Sequence, residues 1–253
     1  SKKLIYLILI YIFISFSIFD FLYPKLFFEK SNYRVISDIV YDVDKFYGYH
    51  PKSNSQFSEK IFFKNKIIKI NTYSINKYGH RKNFNLKNKN TECIVLFGGS
   101  IVFGQSLSDD ETLPYLISKK LTREYSVYNY GFNGYGPHQF LAKLKSLDSD
   151  ELEHCKHIVI IYQFIYDHIA RTAGKRSWGD KSPRFIVKNE QLIQKGFFSD
   201  YPFKFIMKLR KNFRHSKVSN IFFNLEKINQ KDKEILLKVL KNIEKLFKNK
   251  FNS

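Results

Sequence analysis

The chain alternates apolar runs with polar, turn-rich segments, and the spacing within each run predicts its secondary structure. Residues 93–97, 127–130 and 158–162 form short runs dominated by apolar side chains, which are typical of buried parallel strands. Between these runs, apolar residues recur at helical spacing over residues 113–121 and 139–147. The alternation of strands and helices predicts an α/β fold with a flavodoxin-like, doubly wound parallel sheet.

The segment before the first of these strands has few helical patterns. Residues 61–63 and 67–71 combine aromatic and β-branched side chains, which predicts strands of a small antiparallel preamble. Residues 78–81 resemble a turn, and the polar residues 82–91 resemble a linker. We therefore expect three segments: an anchor over residues 1–24, a β-rich preamble and linker over residues 25–91, and an α/β domain over residues 92–253.

A long apolar run occupies the N-terminus. Residues 4–19 carry no charge, and apolar residues resume after Asp20. A helix over residues 4–23 would be about 30 Å long, enough to span a bilayer. Lys2 and Lys3 precede it, so the positive-inside rule predicts a single-pass membrane protein with its globular part on the periplasmic face. A cleaved signal peptide and a buried core helix are the alternatives.

Composition and charge exclude several classes of protein. Hydrophobic residues make up 43% of the chain and aromatic residues 17%, which excludes a mainly disordered chain. The 43 Lys and Arg against 23 Asp and Glu give a net charge of +20, which ordinarily favours nucleic acid or anionic membranes as partners. Because the excess is mostly Lys and is scattered through every segment, we expect no nucleic-acid partner. Two cysteines exclude a disulfide-rich scaffold and a four-cysteine zinc site.

The candidate chemistry begins where the first predicted parallel strand ends. Residues 98–100 (Gly-Gly-Ser) place a serine hydroxyl at a strand-to-helix junction, where ligands bind in such sheets and amide N–H groups can stabilise an oxyanion. A helix N-cap serine beside turn glycines is the alternative. A second glycine-rich junction, residues 129–136 (Asn-x-Gly-x-x-Gly-x-Gly), follows one βα unit later. Its backbone N–H groups could reach the same oxyanion, which favours the catalytic interpretation.

These blocks together resemble the SGNH (GDSL-like) hydrolases, specifically the membrane-anchored bacterial members. The resemblance extends over residues 97–104 (Phe-Gly-Gly-Ser-x-x-Phe-Gly), 109–114 (Asp-x-Glu-Thr-x-Pro) and 129–139, and covers the chain from about residue 92 to residue 171. It implies the SGNH hydrolase fold and esterase, lipase, carbohydrate acyl esterase or acyltransferase activity. It also implies catalysis by a Ser-His-Asp or Ser-His arrangement without a metal or other cofactor.

The same resemblance assigns roles to individual residues. Ser100 corresponds to the nucleophile and, through its amide, to an oxyanion donor, while Gly134 corresponds to the second donor. Residues 163–168 (Gln-Phe-Ile-Tyr-Asp-His) lack the Asn that the family has after its third strand, so one oxyanion donor is missing from the pattern. No Asp-x-x-His occurs, and the Glu-x-x-His at residues 151–154 precedes the third strand and belongs at the opposite end of the sheet. We interpret the chain as a truncated or degraded member without the family's general base, with His168 as an alternative base.

Two charged residues flank His168 at helical spacing. His168 could serve as base or substrate ligand, and Arg171 could bind an anionic sugar or an acyl carboxylate. We predict Arg171 and Asp167 as substrate-binding residues. The alternative is an i,i+4 ion pair between them on a solvated helix, with a polar loop histidine.

Three classes of function remain open. The first is an extracytoplasmic serine esterase or acyltransferase on carbohydrate or lipid acyl esters. The second is a catalytically degraded, membrane-anchored carbohydrate-binding or assembly protein that retains the fold. The third is a basic surface that binds nucleic acid or anionic lipid, which the motifs do not support.

The register of the predicted sheet argues against a disulfide between Cys93 and Cys155, although the predicted compartment would permit one. The flavodoxin-like order makes the first and third strands neighbours. Cys93 lies four residues before Phe97, whereas Cys155 lies seven before Tyr162. The difference corresponds to about 10 Å along the strands, beyond the ~7 Å Cα separation that a disulfide tolerates. We therefore predict two free thiols.

Overall fold

The computed structural model describes most of the chain after the N-terminal segment. The described residues are 32–84, 91–121, 125–146, 151–176, 178–200, 202–206 and 227–251, together with Tyr11, Ser15 and Lys208. Apart from Tyr11 and Ser15, the predicted membrane helix over residues 4–23 lies outside them. Within these ranges, no helix combines the length and apolar character that crossing a membrane requires.

Eleven strands and five α-helices have both of their ends in the described residues. The strands are β1 (Tyr33–Ser37), β2 (Tyr41–Asp44), β3 (Gly48–Pro51), β4 (Ser55–Phe63), β5 (Lys66–Ile75), β6 (Arg81–Phe84), β7 (Thr91–Phe97), β8 (Tyr125–Asn129), β9 (Cys155–Tyr162), β10 (Pro183–Lys188) and β11 (Gln191–Phe197). The helices are α1 (Ser100–Phe103), α2 (Leu113–Lys120), α3 (Pro137–Ser146), α4 (Asp167–Thr172) and α5 (Gln230–Phe251), and a 3₁₀ turn covers Asp109–Glu111.

The protein is a mixed α/β structure built on a seven-stranded sheet with the order β1-β4-β5-β6-β8-β7-β9. Strands β8 and β9 both pair with β7 in parallel, so the predicted adjacency of the first and third parallel strands is confirmed. Strand β6 pairs with β8 in antiparallel orientation. The strands of the preamble and the parallel strands therefore share one sheet. Strands β2 and β3, and β10 and β11, form two separate hairpins.

Strand β7 is covered on both faces, as its continuous apolar run predicts. Cys93, Val95 and Phe97 pack on one face against α3 and α5. Ile94 and Leu96 pack on the other face with Val102 and α2. Side chains thus pack on both faces of β7, which is the middle one of the three parallel strands, and Ser100 lies three residues beyond its last residue.

Strand β9 departs from its predicted burial. It lies at one edge of the seven-stranded sheet, and Val159 and Ile161 are 51% and 42% exposed. An apolar run occurs both in strands covered on one face and in strands covered on two faces. The sequence of β9 therefore did not show how many of its faces are covered. The predicted linker is also corrected at its start, because residues 82–84 belong to β6.

The two cysteines form a disulfide, so the prediction of two free thiols is wrong. The counted register was right at the carboxyl end, where Phe97 pairs with Tyr162. The strands do not keep that register to the other end, because an irregularity pairs Thr91 with Cys155 but Glu92 with His157. Such a bulge bends the strand. Cys155 is thereby brought to a Cα–Cα distance of 5.6 Å from Cys93, within the range of a disulfide.

Candidate functional site

Ser100 lies at the first position of α1, immediately beyond the carboxyl end of β7. Gly99, not Ser100, is the N-cap of this helix, so the capping interpretation of the serine does not describe the structure. A Cβ at Gly98 would lie 2.5 Å from Val102 Cγ2, and a Cβ at Gly99 would lie 2.8 Å from Arg171 Nη1. A side chain at Gly98 would therefore clash with Val102, and one at Gly99 would displace the end of the Arg171 side chain. Ser100 is half-buried, and its hydroxyl has no hydrogen-bond partner among the residues that the structure describes.

The second glycine-rich junction packs directly on the first. The Phe132 amide donates to the Gly98 carbonyl at 3.2 Å. Asn129 Nδ2 donates to the Val102 carbonyl at 2.9 Å, and its Oδ1 accepts from the Gly131 amide at 3.1 Å. The predicted proximity of the two blocks thus has a structural cause, since the Asn129 side chain joins them.

Gly134 forms the tip of this second junction. Its φ of +78° lies in the left-handed region, which explains the glycine. The next residue, Tyr135, has its carbonyl oxygen 3.4 Å from the position that a Cβ on Gly99 would occupy. Gly134 and Ser100 therefore belong to adjoining segments of one site.

Arg171 and Asp167 form the i,i+4 pair that was the alternative to substrate binding. Arg171 Nε donates to Asp167 Oδ2 at 2.7 Å, and Arg171 Nη1 donates to the Tyr135 carbonyl at 2.8 Å. Arg176 donates to the other Asp167 oxygen at 2.6 Å. Burial by itself raises the pKa of Asp167, but the hydrogen bonds from Arg171 and Arg176 outweigh it and lower that pKa. The pair holds the second junction in place beside Gly99.

His168, at the start of α4, is fully buried beneath the same junction. Its Nδ1 lies 3.3 Å from the Ile165 amide, which donates to it, and 2.8 Å from the Tyr162 hydroxyl. Its Nε2 lies 3.5 Å from the position of a Cβ on Gly99 and has no hydrogen-bond partner among the described residues. Burial, and next the Arg171 charge, lower the pKa of His168 to about 4. The ring is therefore neutral at neutral pH.

An open cavity of about 700 Å³ adjoins these junctions. Three aromatic side chains, four polar or charged side chains and one glycine line it. The lining residues are Tyr41, Tyr49, Gln105, Asn133, Gly134, Trp178, Asp180 and Lys181. Gln105 connects the cavity to α1, because its amide donates to the Ser100 carbonyl at 2.9 Å. Tyr49 fixes the loop beside Gly134 by donating from its hydroxyl to the Asn133 carbonyl at 2.9 Å.

The motif at residues 109–114 has a structural role. Asp109 accepts from the Ser74 amide at 3.2 Å, and Glu111 accepts from the Ser108 amide at 2.7 Å within a capping box. Thr112 caps α2, accepting from the Tyr115 amide at 3.4 Å. The motif therefore joins the segment after α1 to β5 and starts α2.

Arg81 was not identified from the sequence, where it appeared to be part of a turn. Its guanidinium is 1% exposed, and Nη1 donates to the Phe103 and Gly104 carbonyls at 2.7 Å each. Its Nε donates to Asp109 Oδ1 at 3.0 Å. Arg81 therefore holds the end of α1 from the neighbouring β6. The sequence contained one signal for a special role of Arg81, namely its position directly after the Tyr-Gly-His residues of the predicted turn.

Two other histidines differ in their distance from this arrangement. His138 lies beside the second junction, where a Cβ on Gly136 would be 3.0 Å from its ring. His138 is 1% exposed, and neither ring nitrogen has a partner among the described residues. Burial, with smaller contributions from His168 and Arg171, lowers the pKa of His138 to about 3. His154 lies beside Thr91 at the start of β7, which confirms that the Glu-x-x-His segment is at the opposite end of the sheet from Ser100.

Comparisons with known proteins do not extend these observations. No protein-family model matches the chain, and no curated protein matches it. The likeness to SGNH hydrolases therefore depends on the sequence blocks themselves.

Proposed function

We propose that the protein is an extracytoplasmic serine esterase or acyltransferase that acts on acyl esters of carbohydrates, with Ser100 as its nucleophile. The observation that carries the proposal is the position of Ser100 at the start of α1, just beyond the carboxyl end of β7. Its half-buried hydroxyl has no hydrogen-bond partner in the described part of the chain. The adjoining segments contribute Gln105 and Gly134 to the lining of the open cavity. The order β8-β7-β9 is also that of the first three strands of a flavodoxin-like sheet, which supports the SGNH-type fold as part of the proposal.

The proposed chemistry proceeds through an acyl-enzyme. Ser100 Oγ bonds to the ester carbonyl carbon, and the carbonyl electron pair moves onto oxygen, where the Ser100 and Gly134 amides stabilise it. Return of that electron pair breaks the bond to the leaving alkoxide, which takes a proton and departs as an alcohol. Water or an acceptor hydroxyl then releases the acyl group. A general base takes the proton of Ser100 Oγ and returns it to the leaving alkoxide. No side chain in the described part of the chain accepts a hydrogen bond from Ser100 Oγ.

The cavity supports a sugar as the carrier of the ester. Tyr41 and Trp178 present partly exposed rings on which a sugar face can stack. Asp180, Lys181 and Asn133 supply the donors and acceptors that hydroxyl groups require. A cavity that combines both kinds of side chain fits a glycan better than a simple lipid chain.

The disulfide supports an extracytoplasmic location. The bond between Cys93 and Cys155 is of a kind that persists in oxidising compartments such as the periplasm. Attachment to the membrane through residues 4–23 completes the proposal.

The decisive experiment is hydrolysis of p-nitrophenyl acetate by the purified protein. We expect Ser100→Ala to abolish turnover and to abolish labelling by a fluorophosphonate. The matched control is Ser146→Ala, because the Ser146 hydroxyl, at the end of α3, donates to the Lys143 carbonyl of its own helix. Equal turnover by the wild-type and Ser100→Ala proteins would exclude Ser100 as the nucleophile.

A second candidate function is glycan binding without turnover. The specific observation in its favour is that His168 Nδ1 is already engaged by Ile165, which leaves Ser100 without a visible base in the described part of the chain. Titration with acetylated oligosaccharides distinguishes the two. Binding that is unchanged in Ser100→Ala, with no product from either protein, supports the second function.

A further inference from the structure

The imidazole of His168 lies beside Gly99 and has no role in the mechanism proposed above. Its ring is fully buried, and Nε2 has no partner among the residues described. Leaving a buried polar nitrogen unpaired costs about 1–3 kcal/mol. Such a group in a candidate site points to a ligand atom that completes it.

The contacts of the other ring nitrogen determine the tautomer. A backbone amide can only donate, so the Ile165 N–H that approaches His168 Nδ1 at 3.3 Å requires an unprotonated Nδ1. The Tyr162 hydroxyl, 2.8 Å away, can donate to the same atom. In the neutral ring the remaining proton must then be on Nε2. Nε2 is thus a hydrogen-bond donor, and it cannot accept a proton from Ser100.

We propose that His168 is an oxyanion donor: its Nε2–H binds the oxygen that becomes negative when Ser100 attacks the ester. This inference rests on the proposed function. It supplies the donor that residues 163–168 otherwise lack, because the Asn expected after the third strand is absent. The Nε2 atom lies beside Gly99, one residue before the nucleophile, on the side of the Tyr135 carbonyl and the Gly134 junction.

The environment keeps this donor neutral. Burial and the Arg171 guanidinium both disfavour a second proton on the ring. A neutral N–H neither gains nor loses a proton during the reaction. The hydrogen bond from this N–H to the substrate oxygen becomes stronger as the bond between Ser100 Oγ and the carbonyl carbon forms. The hydrogen bond becomes weaker again when the leaving group departs.

Nuclear magnetic resonance on the ¹⁵N-labelled protein tests the assignment directly. We expect the long-range proton–nitrogen pattern of a ring protonated at Nε2, with no further protonation between pH 8 and about pH 5. A ring protonated at Nδ1, or one that titrates near its ordinary pKa, overturns the proposal.

Labelling separates this inference from the proposed function. A phosphonyl group on Ser100 carries an oxygen in the position of the oxyanion. We expect adduct formation to move the Nε2–H proton resonance of His168 downfield. Labelling of Ser100 without such a shift overturns the donor role alone, whereas absence of labelling at Ser100 overturns the nucleophile assignment and with it this inference.

Kinetics provide a second measurement. His168→Gln retains an N–H donor, whereas His168→Ala removes it. We expect His168→Ala to lower kcat about 10²–10³-fold, with partial recovery in His168→Gln and an unchanged pH profile. Equal losses in both variants, together with loss of the acidic limb of the profile, would show that His168 is a base.

Discussion

Arg81 shows how a single buried side chain can determine the geometry of a site that it does not enter. Its five N–H donors are used by the Asp109 carboxylate, by three carbonyls in and after the end of α1 and by the Thr72 carbonyl of β5. The guanidinium also stacks on the rings of Tyr73 and Phe103, with the central carbon 4.4 and 5.1 Å from the ring centroids. This combination of planar donors and stacking cannot be reproduced by a lysine.

Replacement of Arg81 should therefore be strongly destabilising. In Arg81→Gln, Asp109 and several carbonyls lose their donor, and we expect the free energy of unfolding to fall by about 3–5 kcal/mol. Denaturation in guanidinium chloride measures this change. The control is Arg34→Gln, because Arg34 is exposed and its guanidinium lies over the Phe62 ring of the neighbouring strand. We expect the control to lose less than about 1 kcal/mol. Similar losses in both variants would contradict the role given to Arg81.

Some of these residues could be identified from the sequence and others could not. Ser100 and Gly134 could be predicted because closely spaced glycines after a strand indicate a tight turn of the backbone at that place. The partners of Arg81 are mostly main-chain carbonyls more than twenty residues away, and a carbonyl carries no sequence signal. The orientation of the His168 ring could not be predicted from the sequence either, since it depends on a hydrogen bond from the Ile165 amide.

At the scale of elements, continuous apolar runs predicted β7 to β9 and helical spacing predicted α2 and α3. The hairpin of β10 and β11 was not predicted, because its turn residues Asn189 and Glu190 both adopt positive φ although Glu rarely does. The burial of β9 was misjudged because its neighbours in the sheet determine how many of its faces are covered. The bulge that permits the disulfide arises from pairing between strands, which no local pattern encodes.

The disulfide itself yields a prediction about the elements that it joins. The bond links β7 to β9 across 62 residues of sequence, so we expect no free thiols when the denatured, non-reduced protein is titrated. Loop-closure entropy alone suggests that reduction lowers the free energy of unfolding by about 4 kcal/mol. Adding a reductant to the Cys93→Ala variant provides the control and should change nothing further. Two titratable thiols in the untreated protein would contradict the bond.

At the scale of the whole molecule, buried histidines on separate elements should make the fold sensitive to acid. The pKa of His80 is lowered to about 4 by burial and then by the Lys143 charge, partly opposed by Glu151. His168 and His138 have pKa values of about 4 and about 3 for the reasons given above. Each value is below the ordinary 6.5, so the unfolded chain binds more protons than the folded one between these values.

We therefore expect the free energy of unfolding to fall steadily as the pH is lowered from about 6.5 to about 4. Chemical denaturation at a series of pH values measures the slope. His138→Phe should reduce the slope because it removes one buried titrating group. Stability that is constant over this range, or that rises on acidification, would contradict the buried neutral state of these rings.

The contact of Arg81 with the end of α1 also limits how this molecule can be divided or recombined in evolution. The cation comes from β6, whereas three of the four carbonyls that it satisfies follow the candidate nucleophile on the other side of residue 91. A genetic exchange at that boundary would transfer the serine without the arginine that positions the segment after it. The two parts are thus expected to be inherited as one unit, and a relative that has only the parallel strands must supply another cation at this place.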